Sequence, residues 1–94
     1  MRVRWLRKAL ANLDEEADYI AQDNPVAAGR LVLRILEEAE LLRENPAMGR
    51  AGRVEGTREL VVAGTPYILP YRVRGEVVEI LRVFHGARKW PGKF

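Results

Sequence analysis

Three short apolar runs rich in β-branched residues follow one another between residues 57 and 84, with only a few residues between them. We predict strands at Thr57–Val62, Tyr67–Val73 and Val77–Phe84. Gly64 and Gly75 mark the turns, and because connections this short join antiparallel neighbours, the pattern predicts a three-stranded antiparallel β-meander. Pro70 lacks the amide hydrogen that a central strand donates, so we expect a bulge or an unpaired position there.

Two helical periods precede these strands. The first, over residues 7–22, places its apolar residues on one face: Leu6, Leu10, Leu13, Ala17 and Ile20. The acidic residues of this segment, Glu16 among them, should occupy the other faces. The second helix should begin at Pro25 with Asn24 as its N-cap and end at Asn45 and Pro46. Because the link between the two helices is short, they should form an antiparallel hairpin.

The rest of the chain completes one domain. Residues 2–6 alternate charged and bulky side chains, which predicts a short strand, and residues 46–56 should be a loop. Each helix has a single apolar stripe that needs a surface to cover, and the sheet supplies it. We therefore expect a single α+β domain over residues 1–94, with an N-terminal strand, a helical hairpin and a β-meander.

Several classes of protein are excluded by composition. The chain has no cysteine and one histidine, which excludes a disulfide scaffold and leaves no set of metal ligands. The segment from Gly49 to Gly52 lacks the lysine and hydroxyl ending of a phosphate-binding loop. No apolar run approaches the roughly 18 residues of a membrane span, and the first residues do not resemble a signal peptide. We expect a cytoplasmic protein without metal, cofactor or membrane contact.

Positive charge is concentrated in the second half of the sequence. Residues 1–45 carry seven basic and nine acidic side chains, whereas residues 46–94 carry nine basic and four acidic ones. A net charge of this kind can serve solubility alone, or it can form a surface for nucleic acid or an acidic protein partner.

The only histidine, His85, directly follows the last predicted strand in a basic segment. It is either structural or a general acid or base, which histidine can be near neutral pH. Neighbouring side chains could form a surface for an anionic partner: Arg82, Arg88, Lys89 and Trp90. Strand alternation places Arg82 on the same face as Val78 and Ile80, so neither sheet face is purely apolar. The face away from the helices should therefore carry exposed hydrophobic residues and suggests a protein partner.

In combination, several segments make this chain resemble the RelE/ParE superfamily of type II toxin–antitoxin toxins. The similar segments cover nearly the whole sequence and are Trp5, ADYIAQDNPVAAGRLVLRI, ENPAMGRAGRVEGTRELVV, TPYILPYRV and ILRVFHGARKWP. The fold that the resemblance implies agrees with the one predicted above. The superfamily has two activities: relatives of RelE and YoeB cut mRNA on the ribosome, and relatives of ParE inhibit DNA gyrase without cutting.

Departures from the RNA-cutting pattern favour the second branch. Ile68 follows Tyr67 where the cutting branch typically has arginine, Gly52 stands where some members have glutamate, and Gly86 or Phe94 occupies the place of a late tyrosine. Of the residues in the RNA-cutting pattern, His85 and Arg88 are present in this sequence. Without a positioned base or a second cation on the phosphate, attack by a ribose 2′-hydroxyl would lose most of its stabilisation.

The resemblance thus implies a ParE-like inhibitor of DNA gyrase, neutralised by a cognate antitoxin and touching DNA only through the antitoxin complex. We call five residues the predicted docking residues: Arg82, His85, Arg88, Lys89 and Trp90. We expect the His85 and Arg88 side chains to be exposed, so that the fold tolerates their replacement. The alternative is a ribosome-dependent mRNA endonuclease in which His85 is the acid or base and Arg88 holds phosphate. A plain RNA-binding domain is a third, weaker alternative.

Overall fold

The computed structural model, which describes residues 1–94, has two helices and six strands and confirms the predicted α+β class. The elements in chain order are β1 (Arg2–Trp5), α1 (Arg7–Ala21), α2 (Pro25–Leu41), β2 (Arg50–Ala51), β3 (Arg58–Val61), β4 (Tyr67–Arg74), β5 (Val77–Ile80) and β6 (Phe84–His85). Neither helix is both long and apolar enough to cross a bilayer.

The helical hairpin forms where the sequence predicts it, with two corrections. The Asn24 side chain accepts a hydrogen bond from the Ala27 amide at 3.0 Å, which caps α2, but α2 ends at Leu41 and not at Asn45. The buried residues of α1 are Ala9, Leu13 and Glu16, whereas Leu10 is 46% exposed. The buried face of α1 is thus rotated from the predicted one and includes an acidic residue.

The sheet is larger than the predicted three-stranded meander. Its strands lie in the order β1-β5-β4-β3-β2, and β6 continues beside β4. The predicted first strand exists and pairs parallel to β5, with Val3 opposite Val78. The predicted loop at residues 46–56 contains β2, which pairs antiparallel with β3 and places Arg50 opposite Glu59. These partners are distant in sequence or only two residues long, so turn signals do not reveal them.

The predicted last strand, Val77–Phe84, is broken by a bulge opposite Pro70. Tyr71 pairs with Ile80, and Ile68 pairs with Phe84. Residues 69 and 70 of β4 therefore face three residues, 81–83, of the segment between β5 and β6. The Leu81 amide donates to the Pro70 carbonyl at 2.9 Å. The extra residue reverses the alternation beyond it. Val83 therefore joins Ile80 in the core, and Arg82 does not, contrary to the simple alternation predicted above.

The core lies between the helices and one face of the sheet. Its largest fully buried side chains are Tyr71, Ile35, Leu42, Leu69 and Ile80. The opposite sheet face is less apolar than we predicted, although Val61 on it is 47% exposed. Ile68 on that face is only 8% exposed, and arginine and glutamate side chains from β1, β3, β4 and β5 occupy much of the rest. The exposed apolar side chains lie mainly on the helices: Leu10, Tyr19, Val26, Leu33 and Leu41.

Candidate functional site

A shallow cleft between α1 and residues 83–90 brings four of the predicted docking residues to one end of the sheet. His85, Arg88, Lys89 and Trp90 line it together with Asn12 and Glu16 from α1. Its volume of about 110 Å³ is small beside the roughly 300–1,000 Å³ of most small-molecule pockets. The cleft is therefore better suited to a contact between surfaces than to enclosing a substrate.

Arg88 is held by a carboxylate that the sequence did not single out. Its Nη1 atom lies 2.9 Å from Glu16 Oε1 and donates to Oε2 at 3.1 Å. The Glu16 side chain is 11% exposed and the Arg88 side chain 56%, so one end of the pair is buried and the other reaches solvent. The hydrogen bond to Glu16 and its charge raise the pKa of Arg88. Arg88 is thus exposed, as predicted, but it is also the partner of a nearly buried carboxylate, which the sequence did not lead us to expect.

Tyr67 completes the buried side of this cluster. Its side chain is 4% exposed, and the His85 ring packs edge-on against it with the ring centroids 5.5 Å apart. Burial raises the pKa of the Tyr67 hydroxyl, and the negative charge of Glu16 raises it further. A signal for Glu16 was present in the sequence: it follows Leu13 by three residues and precedes Ile20 by four, which is the spacing of a buried face.

The imidazole of His85 is half-buried and already hydrogen-bonded. Its Nδ1 atom accepts from the Ala87 amide at 3.2 Å, so the neutral ring carries its proton on Nε2. Its backbone carbonyl accepts from the Trp90 indole N–H at 3.2 Å. In this arrangement the neutral ring has no free acceptor nitrogen, which a general base requires. The prediction of an exposed His85 is wrong, because the residue is only partly exposed.

Arg82 and Trp90 make internal contacts. The Nε atom of Arg82 donates to the Asn12 side chain at 2.8 Å, which ties the bulge to α1. Trp90 packs on Phe84 with the ring centroids 4.8 Å apart, and the Arg53 guanidinium lies 3.5 Å above the Trp90 ring. The segment after β6 is thus folded back onto the sheet.

Lys89 differs from the other four predicted docking residues. It is exposed, and its ammonium group makes no hydrogen bond or ion pair within the chain. Together, Lys89, the exposed part of Arg88 and the edge of Trp90 form a basic and aromatic rim along the cleft. Such a rim can donate charge-assisted hydrogen bonds to an acidic surface.

A second arginine–glutamate cluster supports the Trp90 side of this rim. Glu59 is 3% exposed and accepts from the Arg53 amide at 2.9 Å and from the Arg50 side chain at 3.1 Å. Burial acts to raise the pKa of Glu59, but these hydrogen bonds outweigh it, and the pKa is lowered. Sequence reasoning did not identify Glu59 as the group that organises the arginines of this loop.

Gly52 occupies a position that leaves no room for a side chain, and Gly86 one where a side chain would be tightly packed. A Cβ atom on Gly52 would lie 2.8 Å from the Thr57 carbonyl oxygen. A Cβ atom on Gly86 would lie 3.2 Å from the Pro66 carbonyl oxygen. Gly52 is where the resemblance led us to look for a catalytic glutamate, and Gly86 is one of the two places for a late tyrosine. The other place is held by Phe94, which packs on Phe84 with the ring centroids 5.6 Å apart.

Comparisons with known proteins agree on one group of relatives. Residues 3–90 match the family described as the ParE toxin of the type II toxin–antitoxin system parDE. The putative toxin Y4kP of Sinorhizobium fredii is 51% identical over 90 residues, which are 96% of this chain and 93% of that protein. The toxin RelE2 of Caulobacter vibrioides is 42% identical over 87 residues, which are 93% of this chain and 97% of that protein.

A solved structure supports the same grouping. The chromosomal ParDE toxin–antitoxin system of P. aeruginosa contains a chain that superposes with a TM-score of 0.84 at 34% sequence identity. The match covers 90% of this chain and 95% of the other. The likeness therefore extends over the helical hairpin and the sheet together.

Proposed function

The chain belongs to the ParE family of type II toxin–antitoxin toxins, within the RelE/ParE superfamily, and on this premise we propose that it is a non-enzymatic inhibitor of DNA gyrase. A module of this type implies a cognate antitoxin as partner. The proposal concerns the toxin's target and how the toxin engages it.

The pairing of Arg88 with Glu16 is the observation that carries the proposal. A nuclease of this fold would use Arg88 to hold the phosphate that is attacked. Here a nearly buried carboxylate lies 2.9 Å from that guanidinium. It offsets the positive charge and would repel the developing negative charge of the transition state, whereas catalysis requires donors aimed at that charge.

His85 and the tight glycines support the same conclusion. The Nδ1 atom of His85 accepts from a backbone amide, so in this arrangement the acceptor nitrogen of the neutral imidazole is occupied and not offered to a ribose hydroxyl. Neither Gly52 nor Gly86 could carry a catalytic side chain without moving the neighbouring backbone. Ile68, on the strand beside them, is apolar where a cation would be needed.

Docking onto a protein makes better use of these groups. Lys89 and Arg88 extend their charges beside Trp90, on a segment that β6 and the Phe84 packing hold in place. Arginine and tryptophan are the residues on which protein interfaces most often depend. We therefore assign the contact with gyrase to the rim of Arg88, Lys89 and Trp90, with His85 and Arg82 positioning it.

A ribosome-dependent mRNA endonuclease is the second candidate. It is favoured by the name of the Caulobacter relative, a RelE toxin, and by the meeting of His85 and Arg88 in one cleft. For this activity the His85 ring would have to release the Ala87 amide when RNA binds.

Two assays with the purified chain separate the candidates. We expect it to inhibit supercoiling by gyrase and to leave mRNA intact in a purified translation system. Lys89→Ala should weaken inhibition at least several-fold, while Lys93→Ala, a matched exposed lysine outside the rim, should not. Cleavage of mRNA in the ribosomal A site that His85→Ala reduces by roughly 10²–10⁴ would instead identify a general acid or base and contradict the proposal.

A further inference from the structure

The strand register brings four arginines together on the sheet face opposite the core. Across β1, β5 and β4, Arg4 lies opposite Glu79 and Glu79 opposite Arg72. In the next row of the same face, Val77 lies between Arg2 and Arg74. Neighbouring strands are about 4.8 Å apart and successive rows about 6.7 Å, so the four side chains share one small area. We call this area the arginine face: Arg2, Arg4, Arg72 and Arg74.

At least half of the positive charge on the arginine face is not neutralised within the chain. Glu79 accepts from Arg72 at 2.7 Å and lies 3.9 Å from Arg74. Arg2 and Arg4 are exposed and form no ion pair. Glu76, in the turn before β5, is exposed and also unpaired. Even with both glutamates counted, four guanidinium groups exceed two carboxylates.

The chemistry of this face suits phosphate better than a protein. Val77 is the apolar residue within it and is half-buried, so there is no aromatic or aliphatic anchor of the kind that dominates protein interfaces. Phosphate contacts need no such anchor, because guanidinium groups bind phosphate oxygens through paired, charge-assisted hydrogen bonds. Backbone contacts of this kind supply most of non-specific nucleic-acid affinity.

We propose that the arginine face binds the phosphodiester backbone of a nucleic acid directly and without sequence preference. The sequence led us to expect DNA contact only through the antitoxin complex, and the parallel pairing of β1 with β5 is what changes that expectation. The inference goes beyond the proposed function and does not need it: this face is formed by β1, β5 and β4, whereas the rim of Arg88, Lys89 and Trp90 follows β6.

Fluorescence anisotropy of the isolated chain with labelled duplexes tests the proposal. We expect a 20-base-pair DNA duplex to bind at low salt, with log affinity falling by about 0.9 per phosphate contacted for each unit of log salt. Arg2→Gln combined with Arg4→Gln should weaken binding at least tenfold and reduce that slope by about 2. Neither residue pairs with Glu79, and circular dichroism should show an unchanged fold.

A matched control removes two charges elsewhere. Arg30→Gln combined with Lys93→Gln changes the net charge equally, and both residues are exposed outside the arginine face, so binding should stay within about threefold. Arg2→Lys combined with Arg4→Lys should retain the salt slope. An RNA duplex of the same length shows which nucleic acid supplies the phosphate. Equal affinity for DNA and RNA means that the phosphodiester backbone alone is recognised, and unequal affinity identifies the preferred nucleic acid.

Three outcomes would overturn the inference: no binding of either duplex at low salt, equal losses in the test and control variants, or tighter binding of a polyglutamate peptide than of the duplexes. The gyrase assay keeps the two proposals apart. If the chain inhibits gyrase but binds no duplex, this inference alone is wrong. If it binds the duplexes but does not inhibit gyrase, the proposed function alone is wrong.

Discussion

The carboxylate of Glu16 lies 2.9 Å from the guanidinium of Arg88, although 72 residues separate them in the sequence. The pair joins the middle of α1 to the segment that follows the last strand. The residue that we propose as a contact with the target is therefore also a structural residue, and experiments on Arg88 must separate the two roles.

Single and double variants of Arg88 and Glu16 separate the two roles of Arg88. Arg88→Ala leaves a nearly buried carboxylate without its cation, and we expect the free energy of unfolding in urea to fall by about 1–3 kcal/mol. Glu16→Gln combined with Arg88→Ala removes the unpaired charge and should recover most of that loss. If Arg88 contacts the target, both variants should bind it more weakly by about 1–3 kcal/mol. Restored binding in the double variant would mean that Arg88 acts only through folding.

Two glycine-to-alanine changes should have opposite signs. A Cβ atom on Gly49 would lie 2.6 Å from the Tyr71 ring and 2.9 Å from the Glu59 carbonyl oxygen, so Gly49→Ala should lower the free energy of unfolding by about 1–3 kcal/mol. Gly29 lies within α2 with nothing within 4 Å of the added atom, so Gly29→Ala should raise it by about 0.5–1 kcal/mol. Equal effects in chemical denaturation would contradict the packing described at Gly49.

Stability should fall in acid because of two ion-paired glutamates. The hydrogen bond from Arg72 lowers the pKa of Glu79, and Arg53 and Arg50 lower that of Glu59 against the effect of burial. Both folded-state values lie below the roughly 4.3 of an unfolded chain. Their contribution is complete above that pH and is lost as pH falls through the folded-state pKa values.

Urea unfolding from pH 7 to pH 3 measures this effect. The free energy of unfolding should be nearly constant down to about pH 5 and then decline. Glu79→Gln should make the decline shallower, whereas Glu37→Gln, on the exposed side of α2, should leave it unchanged. An identical decline in all three proteins would mean that other groups cause it.

Antitoxin binding should show the thermodynamics of coupled folding. The helices expose Val26, Leu33 and Leu41, and a largely disordered, acidic and amphipathic segment that folds over them and the sheet would bury large apolar area. Titration calorimetry at several temperatures should give a large negative heat-capacity change, at an ordering cost of some 2–5 kcal/mol. A heat-capacity change near zero would argue for a preformed partner and a small interface.

Neither folding nor toxicity should depend on a metal ion. The chain brings no group of three potential histidine, cysteine or carboxylate ligands together. Excess EDTA should leave the thermal unfolding midpoint of the chain unchanged, and chain that has been treated with EDTA and then freed of it should inhibit the target as before. A shift of that midpoint on chelation would disprove this expectation.

Local sequence signals predicted where helices and strands lie in the chain better than which strands pair with one another. Asn24 and Pro25 set the start of α2 because capping is chemistry within a few residues. The turns at Gly64 and Gly75 likewise fixed the pairing of β3, β4 and β5, and both glycines adopt the positive φ that such turns favour. The bulge at Pro70 was predictable from its missing amide, but the reversal that buries Val83 and not Arg82 was not.

Long-range placement explains the remaining differences. The spacing of Glu16 from Leu13 and Ile20 places it on the buried face of α1, but its partner Arg88 comes from the far end of the chain and could not be predicted. The sequence identified the basic segment around His85, yet the state of each member depends on neighbours from α1, β4 and the loop with Arg53. The place of Arg2 and Arg4 on the arginine face follows only from the parallel register of β1 with β5.

That parallel register also constrains how the protein is made. Residues 2–5 of the first strand find their partner only at residues 77–80, so the sheet cannot close while the ribosome is still adding the middle of the chain. Contacts across so many residues carry a loop-closure cost and slow folding. A nascent chain would hold both helices with part of their apolar surface uncovered, and such surface promotes aggregation. The order of the strands thus delays completion of the sheet until residues 77–80 have been added.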